Sequence, residues 1–373
     1  MEGAYYLIHD LLEIHASPRV SPDIIKMLDF QLGSLRTIRS EHSADYKIII
    51  KPYDEFEFES GATIVNLWQA SGVTGCSFNN PKEKLALKKG EDSLAIYADS
   101  RNFAINMFIQ LILIDRGVSL LPAAAIVDEN NQATLLAGAG GAGKTTITLS
   151  AVKNNKYSLL GDDTICVDNS GYGLSYPRAF NIKHYYRSTF PEYFSVSASS
   201  GERKSGSFTK IFIKQVIRNM PFLGFADSLL YKLGRPGLWN KLKQDVTPGN
   251  VNRRLPKVPV ESIYGENKIT PKANIIRVVY LERYNGNSFT ITPMHPDVLA
   301  DRLCALLYNE WALNARKLYL MSVLELVNLN EFFSRSREII YASIKNSQCE
   351  RLRIPGSCTP EALSKYYFSQ YPA

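Results

Sequence analysis

The sequence predicts an α/β fold with a mixed sheet, and two local patterns and one global property predict it. The first pattern is a glycine-rich run, Gly138–Thr145, joining an apolar strand to a helix; the second is an apolar strand ending in paired acids, Leu159–Asp163. The global property is composition: 373 residues, 45% hydrophobic and 21% charged, enough to bury a core without disulfide or metal staples. Length alone suggests two domains.

Residues 1–100 are expected to form a small mixed α/β unit. Lys47–Ile50, Thr63–Trp68 and Leu94–Tyr97 have strand character, and turn-rich stretches at Ser77–Pro81 and Lys89–Asp92 separate them. Phe103, Met107, Gln110, Leu111 and Ile114 recur at helical spacing, and Arg116-Gly117 ends that helix. Its apolar stretch, Ala104–Ile114, is too short to cross a bilayer, so a buried helix is expected. Leu120–Val127 then reads as a strand, Glu129–Asn131 as a turn and Ala133–Ala137 as a second strand. A helix over Lys144–Lys153 and a strand over Tyr157–Leu160 follow. Residues 101–373 are expected to form one phosphate-binding domain. It carries a basic insertion at about 203–257, a strand at Ile275–Leu281 and a mainly helical part from Pro296 to about Ile344.

Gly138-Ala139-Gly140-Gly141-Ala142-Gly143-Lys144-Thr145 matches GxxxxGK[ST] at every fixed position. Glycines admit backbone conformations in which successive N–H groups converge on phosphate oxygens, and the helix start adds its positive dipole end. Gly138, Gly140, Gly141, Ala142, Gly143, Lys144, Thr145 and Thr146 are the candidate ATP-binding residues. Lys144 supplies a mobile charge for the β- and γ-phosphates, and the Thr145 hydroxyl suits Mg²⁺. The bland alternative is a glycine-rich turn with a surface lysine. Asp162 and Asp163 follow an apolar strand, where P-loop proteins hold Mg²⁺. Adjacent carboxylates repel, which raises one pKa and suits that group to act as a base. An Asp-rich turn after Gly161 is the competing reading.

With these residues in place, Gly117–Asp168 resembles the core of HPr kinase/phosphorylase-like proteins. Tyr176–Lys183 and Arg277–Arg283 also look like the related kinases found near modified-peptide gene clusters. The resemblance spans roughly residues 95–340 and is specific over 117–168. It implies a phosphoenolpyruvate-carboxykinase-like P-loop core and ATP- and Mg²⁺-dependent phosphoryl transfer to a hydroxyl, usually a serine. The acceptor would be a peptide, a protein or a small molecule. Lys144 and Thr145 would then handle phosphates and metal, Asp162 would be the catalytic carboxylate and Asp163 the metal-associated one. Assembly into a homo-oligomer is implied as well.

Two departures matter. Related kinases often carry a histidine in a Leu-His-Ala context where this chain has Leu121-Pro122-Ala123. The downstream glycine-rich signature of the bifunctional enzymes is not evident, which argues against phosphorylase activity and against HPr as substrate. A catalytically weak, nucleotide-dependent binding or regulatory module is the alternative. A carboxykinase-like decarboxylase would need a transition-metal site of His and Lys, and the sequence offers none.

Net charge is +7, and it is concentrated: between Arg203 and Lys257, twelve Lys or Arg accompany only Asp227 and Asp245. This segment could clamp phosphates or bind an acidic partner, and a solvated basic surface is the plain alternative. Arg203 is a catalytic candidate for transition-state charge, with Lys204 beside it. Arg178 reads equally as a structural ion pair or a nucleotide or substrate contact. The histidines lack metal-ligand spacing, and His184 is the one near the motifs in sequence. Five cysteines without CxxC spacing, and a start without signal-peptide design, lead to the expectation of a cytoplasmic protein without a transmembrane segment.

Overall fold

The computed structural model describes residues 3–37, 44–57, 63–65, 68–71, 77–99, 105–153, 156–178, 180–181, 257–258, 265, 268–311, 315–325 and 327–371. Two mixed sheets and the helices packed on them make an α/β protein. Residues 1–180 and 259–373 form one compact unit and residues 181–258 another.

The first sheet begins with strands β1 (Ala4–Ile8) and β2 (Leu12–Ala16), a hairpin in which alternate residues are buried. That period puts Tyr6, Ile8, Leu12 and Ile14 on one covered face. Helix α1 (Pro22–Leu32) starts where Ser21 accepts from the Asp23 N–H and Pro22 presets the backbone, and it buries Ile24, Leu28 and Leu32. Strands β3 (Arg36–Thr37), β4 (Lys47–Lys51), β5 (Thr63–Val65), β6 (Trp68–Ser71), β7 (Ser77–Asn80), β8 (Leu85–Lys89) and β9 (Ser93–Ala98) complete the order β3-β1-β2-β4-β9-β8-β7-β6-β5. The β2–β4 and β4–β9 pairs are parallel and the others antiparallel.

Two expectations fail here. The run Thr63–Trp68 is not one strand: Val65 faces Trp68 across an antiparallel pair, so the chain reverses between them. Ser77–Asn80 is a strand and only Pro81–Lys84 turns: Asn79 is satisfied by Tyr53 and by Gln69 of β6, and Asn80 caps the turn that follows. Asn79 accepts from the Tyr53 hydroxyl at 2.8 Å, and Asn80 accepts from the Lys82 and Glu83 N–H groups at 3.1 Å each.

Helix α2 (Ile105–Ile114) is buried over nearly its whole surface, as its composition foretells. Its Gln110 is also buried, and it is satisfied by donating to Ser119 Oγ at 2.8 Å and accepting from the Leu120 N–H at 2.6 Å. Strands β10 (Val118–Leu121) and β11 (Ala123–Val127) replace the single strand expected over Leu120–Val127. Pro122 divides them, since it has no N–H for a ladder, and the chain changes partners there. Then come β12 (Gln132–Ala137), helix α3 (Lys144–Lys153), β13 (Ser158–Gly161), β14 (Ile165–Asp168) and β15 (Tyr172–Leu174). Short strands β16 (Phe180–Asn181) and β17 (Lys257–Val258) pair with each other.

The long strand β18 (Lys272–Tyr284) organises the second sheet. It runs parallel to β12 on one side and to β20 (Gln348–Pro355) on the other, while β19 (Thr290–Pro293) pairs antiparallel with β20. The order along the main path is β10-β14-β15-β18-β12-β11-β13. Strands β10 and β11 are buried at every residue, which fits strands covered on both faces. Helices α4 (Pro296–Glu310), α5 (Ala315–Val323), α6 (Leu329–Ile344) and α7 (Pro360–Gln370) complete the chain. Among the described residues no helix is long and apolar enough to cross a membrane.

Candidate functional site

Strand β12 ends at Ala137 and helix α3 begins at Lys144, so the six residues between them turn the chain at the end of the second sheet. Three glycines are demanded by local structure, Gly141 by its φ of +84° alone and two others by crowding as well. Gly143 has φ +122°, and a Cβ there would lie 2.4 Å from Leu363 Cδ2 of α7. Gly138 has φ +152°, and a Cβ would meet the Leu281 carbonyl oxygen at 2.5 Å. Gly140 is different: a side chain there would meet nothing within 4 Å, and no such backbone angle demands glycine. The loop faces open space at this point, which is where a ligand would approach it.

The loop's donors support the same reading. Ala142 N–H is engaged by Ala139 O at 3.1 Å, closing a turn, whereas the Gly140, Gly141 and Gly143 N–H groups meet no acceptor among the described residues. Lys144 is buried, with 8% exposure, yet has no carboxylate partner within ion-pair distance among the described residues. Its ammonium curls back to donate to Gly138 O at 2.6 Å and to Ala139 O at 3.5 Å. A buried ammonium that, among the described residues, is held by loop carbonyls alone is suited to an anion.

The paired acids lie beside the helix start. Thr145 Oγ1 donates to Asp162 Oδ2 at 2.9 Å, and Thr148 Oγ1 donates to the other oxygen, Asp162 Oδ1. Asp162 is 3% exposed. Burial pushes its carboxyl from the ordinary 3.8 up to about 6; the Thr148 and Thr145 hydroxyls oppose the shift, neighbouring Asp163 adds to it and Lys144 opposes it. Asp163 has a half-exposed side chain, with Arg178 Nη1 3.7 Å from its Oδ2. Arg178 also donates to Thr164 Oγ1 at 2.8 Å, and its Nε is buried without a hydrogen-bond partner among the described residues.

No family model matches the chain, and no curated protein matches it. The site therefore rests on its own geometry.

Of the residues named from sequence, Gly138, Gly140, Gly141, Ala142, Gly143, Lys144, Thr145 and Thr146 occupy the loop and the first turn of α3, and Asp162 and Asp163 follow β13. The direct partner of Thr145 is Asp162; Asp163 instead faces Arg178. Arg203, Lys204, His184 and the insertion at about 203–257, apart from Lys257 in β17, lie outside the described residues.

Sequence reasoning missed three participants. Thr148 was legible in principle, since a residue three beyond Thr145 shares its face of a helix. Glu310, the last residue of α4, carries no local signal. Its carboxyl pKa is raised, chiefly by desolvation. Repulsion from Asp163 adds to the shift, and attraction from Arg178 and Lys144 opposes it, which places Glu310 within electrostatic reach of the site. Leu363 arrives from the far end of the chain. Among the described residues no three His, Cys, Asp or Glu side chains cluster to hold a metal. The donors at hand are the Thr145 hydroxyl and one or two carboxylates, the set Mg²⁺ takes when substrate phosphates and water complete its shell.

Proposed function

We propose that the chain is an ATP- and Mg²⁺-dependent kinase that transfers the γ-phosphoryl group to a hydroxyl of a peptide, a protein or a small molecule. The reading includes a phosphoenolpyruvate-carboxykinase-like P-loop core, consistent with the likeness to HPr-kinase-related proteins. The observation that carries it is the gathering, at one strand-to-helix turn, of loop amides without acceptors among the described residues, the buried Lys144 ammonium held by loop carbonyls, and the Thr145–Asp162 pair. Bound Mg²⁺ would neutralise charge on the terminal phosphates; Thr145 and a carboxylate of the pair would hold it.

Two divisions of labour fit the carboxylates. The resemblance gives Asp162 the hydroxyl proton and Asp163 the metal. The hydrogen bonds favour the reverse, because Asp162 sits on the hydroxyl suited to Mg²⁺ and both its oxygens are occupied. Asp163 is open to an acceptor, with Arg178 alongside to hold developing negative charge. On this division Asp163→Asn leaves Mg-ATP affinity within about twofold and lowers turnover by about 10²–10⁴. Asp162→Asn weakens Mg-ATP binding itself. Measured by calorimetry and product formation, the opposite pattern would restore the division implied by resemblance.

Incubating the chain with γ-labelled ATP and a lysate of its own host tests the kinase reading. Label enters an acceptor with the native chain and not with Lys144→Ala. Equal labelling by Lys144→Ala would exclude this site as its source. A nucleotide-dependent binding module is the second reading, favoured by Pro122 standing where related kinases place a histidine. It predicts ATP affinity, a nucleotide-dependent partner and label only in released phosphate or nowhere.

A further inference from the structure

A second site lies away from the loop, in a cavity of 490 Å³ where the β8–β9 turn, the end of α2 and the start of α6 meet. That volume is in the range of small-molecule pockets. Its apolar wall comes from Leu94, Phe108, Leu111, Ile112, Met321 and Phe332. Seven charged side chains share the lining, and three of them satisfy one another. Arg335 pairs with Asp115 at 2.8 Å and with Glu331 at 3.3 Å. The four that remain are Lys89, Arg116, Glu91 and Asp92, two of each sign, and none makes an ion pair among the described residues.

Arg116 is the most constrained of the four. Its guanidinium stacks 4.9 Å from the Tyr46 ring centre, and Nη1 donates to Ile112 O at 3.2 Å. Its Nε is buried without a hydrogen-bond partner. That N–H is sealed from solvent, whereas Nη2 makes no hydrogen bond among the described residues and is the edge of the guanidinium that a carboxylate can reach. Glu91 and Asp92, exposed on the β8–β9 turn that also lines the cavity, supply negative charge for a cation.

We propose that this cavity binds a small zwitterion with a large apolar group, namely an α-amino acid with an aromatic or branched aliphatic side chain. The carboxylate meets Arg116, the ammonium meets the Glu91–Asp92 turn, and the side chain enters the Leu111–Phe332 wall.

Calorimetric titration of the full chain with L-phenylalanine tests it, beside phenylacetate, which lacks the ammonium, and phenethylamine, which lacks the carboxylate. L-phenylalanine binds at least about tenfold more tightly than either analogue. Arg116→Met removes most of that affinity and Arg116→Lys part of it, while Leu111→Trp fills the cavity and abolishes binding. Asp92→Asn, on an exposed turn where folding is not at stake, weakens L-phenylalanine and phenethylamine and leaves phenylacetate unchanged. The proposal is overturned if neither L-phenylalanine nor L-leucine binds at about 10 mM. It is also overturned if either analogue matches the amino acid, or if Leu111→Trp or Asp92→Asn binds L-phenylalanine as the native chain does.

Discussion

Asp162 shows at the scale of one residue what the site costs the fold. Its carboxyl titrates at about 6 in the native chain against an ordinary 3.8, chiefly because it is buried. Between those values the native state holds a proton that the unfolded chain has released, so its contribution to stability falls as pH rises through this window. Above about pH 6 the buried charge opposes folding by up to about 3 kcal/mol. Asp162→Asn is therefore expected to be more stable than the native chain at pH 7.5, by about 1–3 kcal/mol, with the gain vanishing near pH 4. Urea unfolding at the two pH values measures it, and an unchanged midpoint at pH 7.5 would contradict the burial assigned to this carboxyl. Gly143 gives the complementary case. Alanine there must adopt φ +122° and displace Leu363, so Gly143→Ala should cost at least about 2 kcal/mol and weaken ATP binding. Thermal unfolding and nucleotide titration of the one variant read both effects.

At the scale of elements, α7 behaves as a brace along α3. Leu363, near its start, touches the loop at Gly143, and Phe368, near its end, lies 5.9 Å from the Tyr157 ring beyond the end of α3. The two helices therefore run side by side in the same direction, with Thr359 capping α7 by accepting from the Ala362 N–H. Leu363→Ala should cost about 2–4 kcal/mol by opening a void. It should lower ATP affinity more than Leu352→Ala, which deletes an equally buried side chain in β20; equal losses of affinity would deny α7 its bracing role. None of this was legible in the sequence, where residues 348–371 received no assignment. What was legible is local chemistry. Helix α3 was bounded correctly at Lys144 and Lys153 because a phosphate-loop pattern fixes its start, and β13 appeared because an apolar run ends at Gly161. Leu120–Val127 was misjudged because Pro122 falls inside an apolar stretch, where period alone cannot reveal a change of partner. Thr63–Trp68 and Ser77–Asn80 failed for a related reason: their form is set by neighbouring strands, with Asn79 of β7 donating across to Gln69 of β6. Thr148 was readable from its spacing to Thr145 on α3, whereas Glu310 lies 148 residues beyond Asp162 and carries no local signal.

At the scale of the whole molecule, the sequence suggested a boundary near residue 100, and the sheets do change there, from strands ending at Ala98 to strands beginning at Val118. The core does not change with them. Tyr6, Ile14 and Ile48 of the first sheet belong to the same buried cluster as Phe108 and Leu113 of α2 and Leu135 of the second. Polar links cross between them: Tyr176 donates to Asn106 at 3.0 Å, Asn106 to Gln31 at 3.3 Å, and a ring nitrogen of His9 lies 2.6 Å from Ser175 O. Ser175 and Tyr176 lead directly to Arg178, so the first sheet helps to hold the segment after β15 that brings Arg178 to Asp163. A shared core implies shared unfolding within residues 1–180 and 259–373. Ile14→Ala and Leu135→Ala, one in each sheet, should each cost about 2–5 kcal/mol. Both should lower the midpoint of one and the same calorimetric transition, and that transition should be the one raised by ATP. Two transitions, with Ile14→Ala moving one and ATP the other, would instead show that residues 1–100 fold on their own account and that the links at Ser175 and Tyr176 carry no coupling to the site.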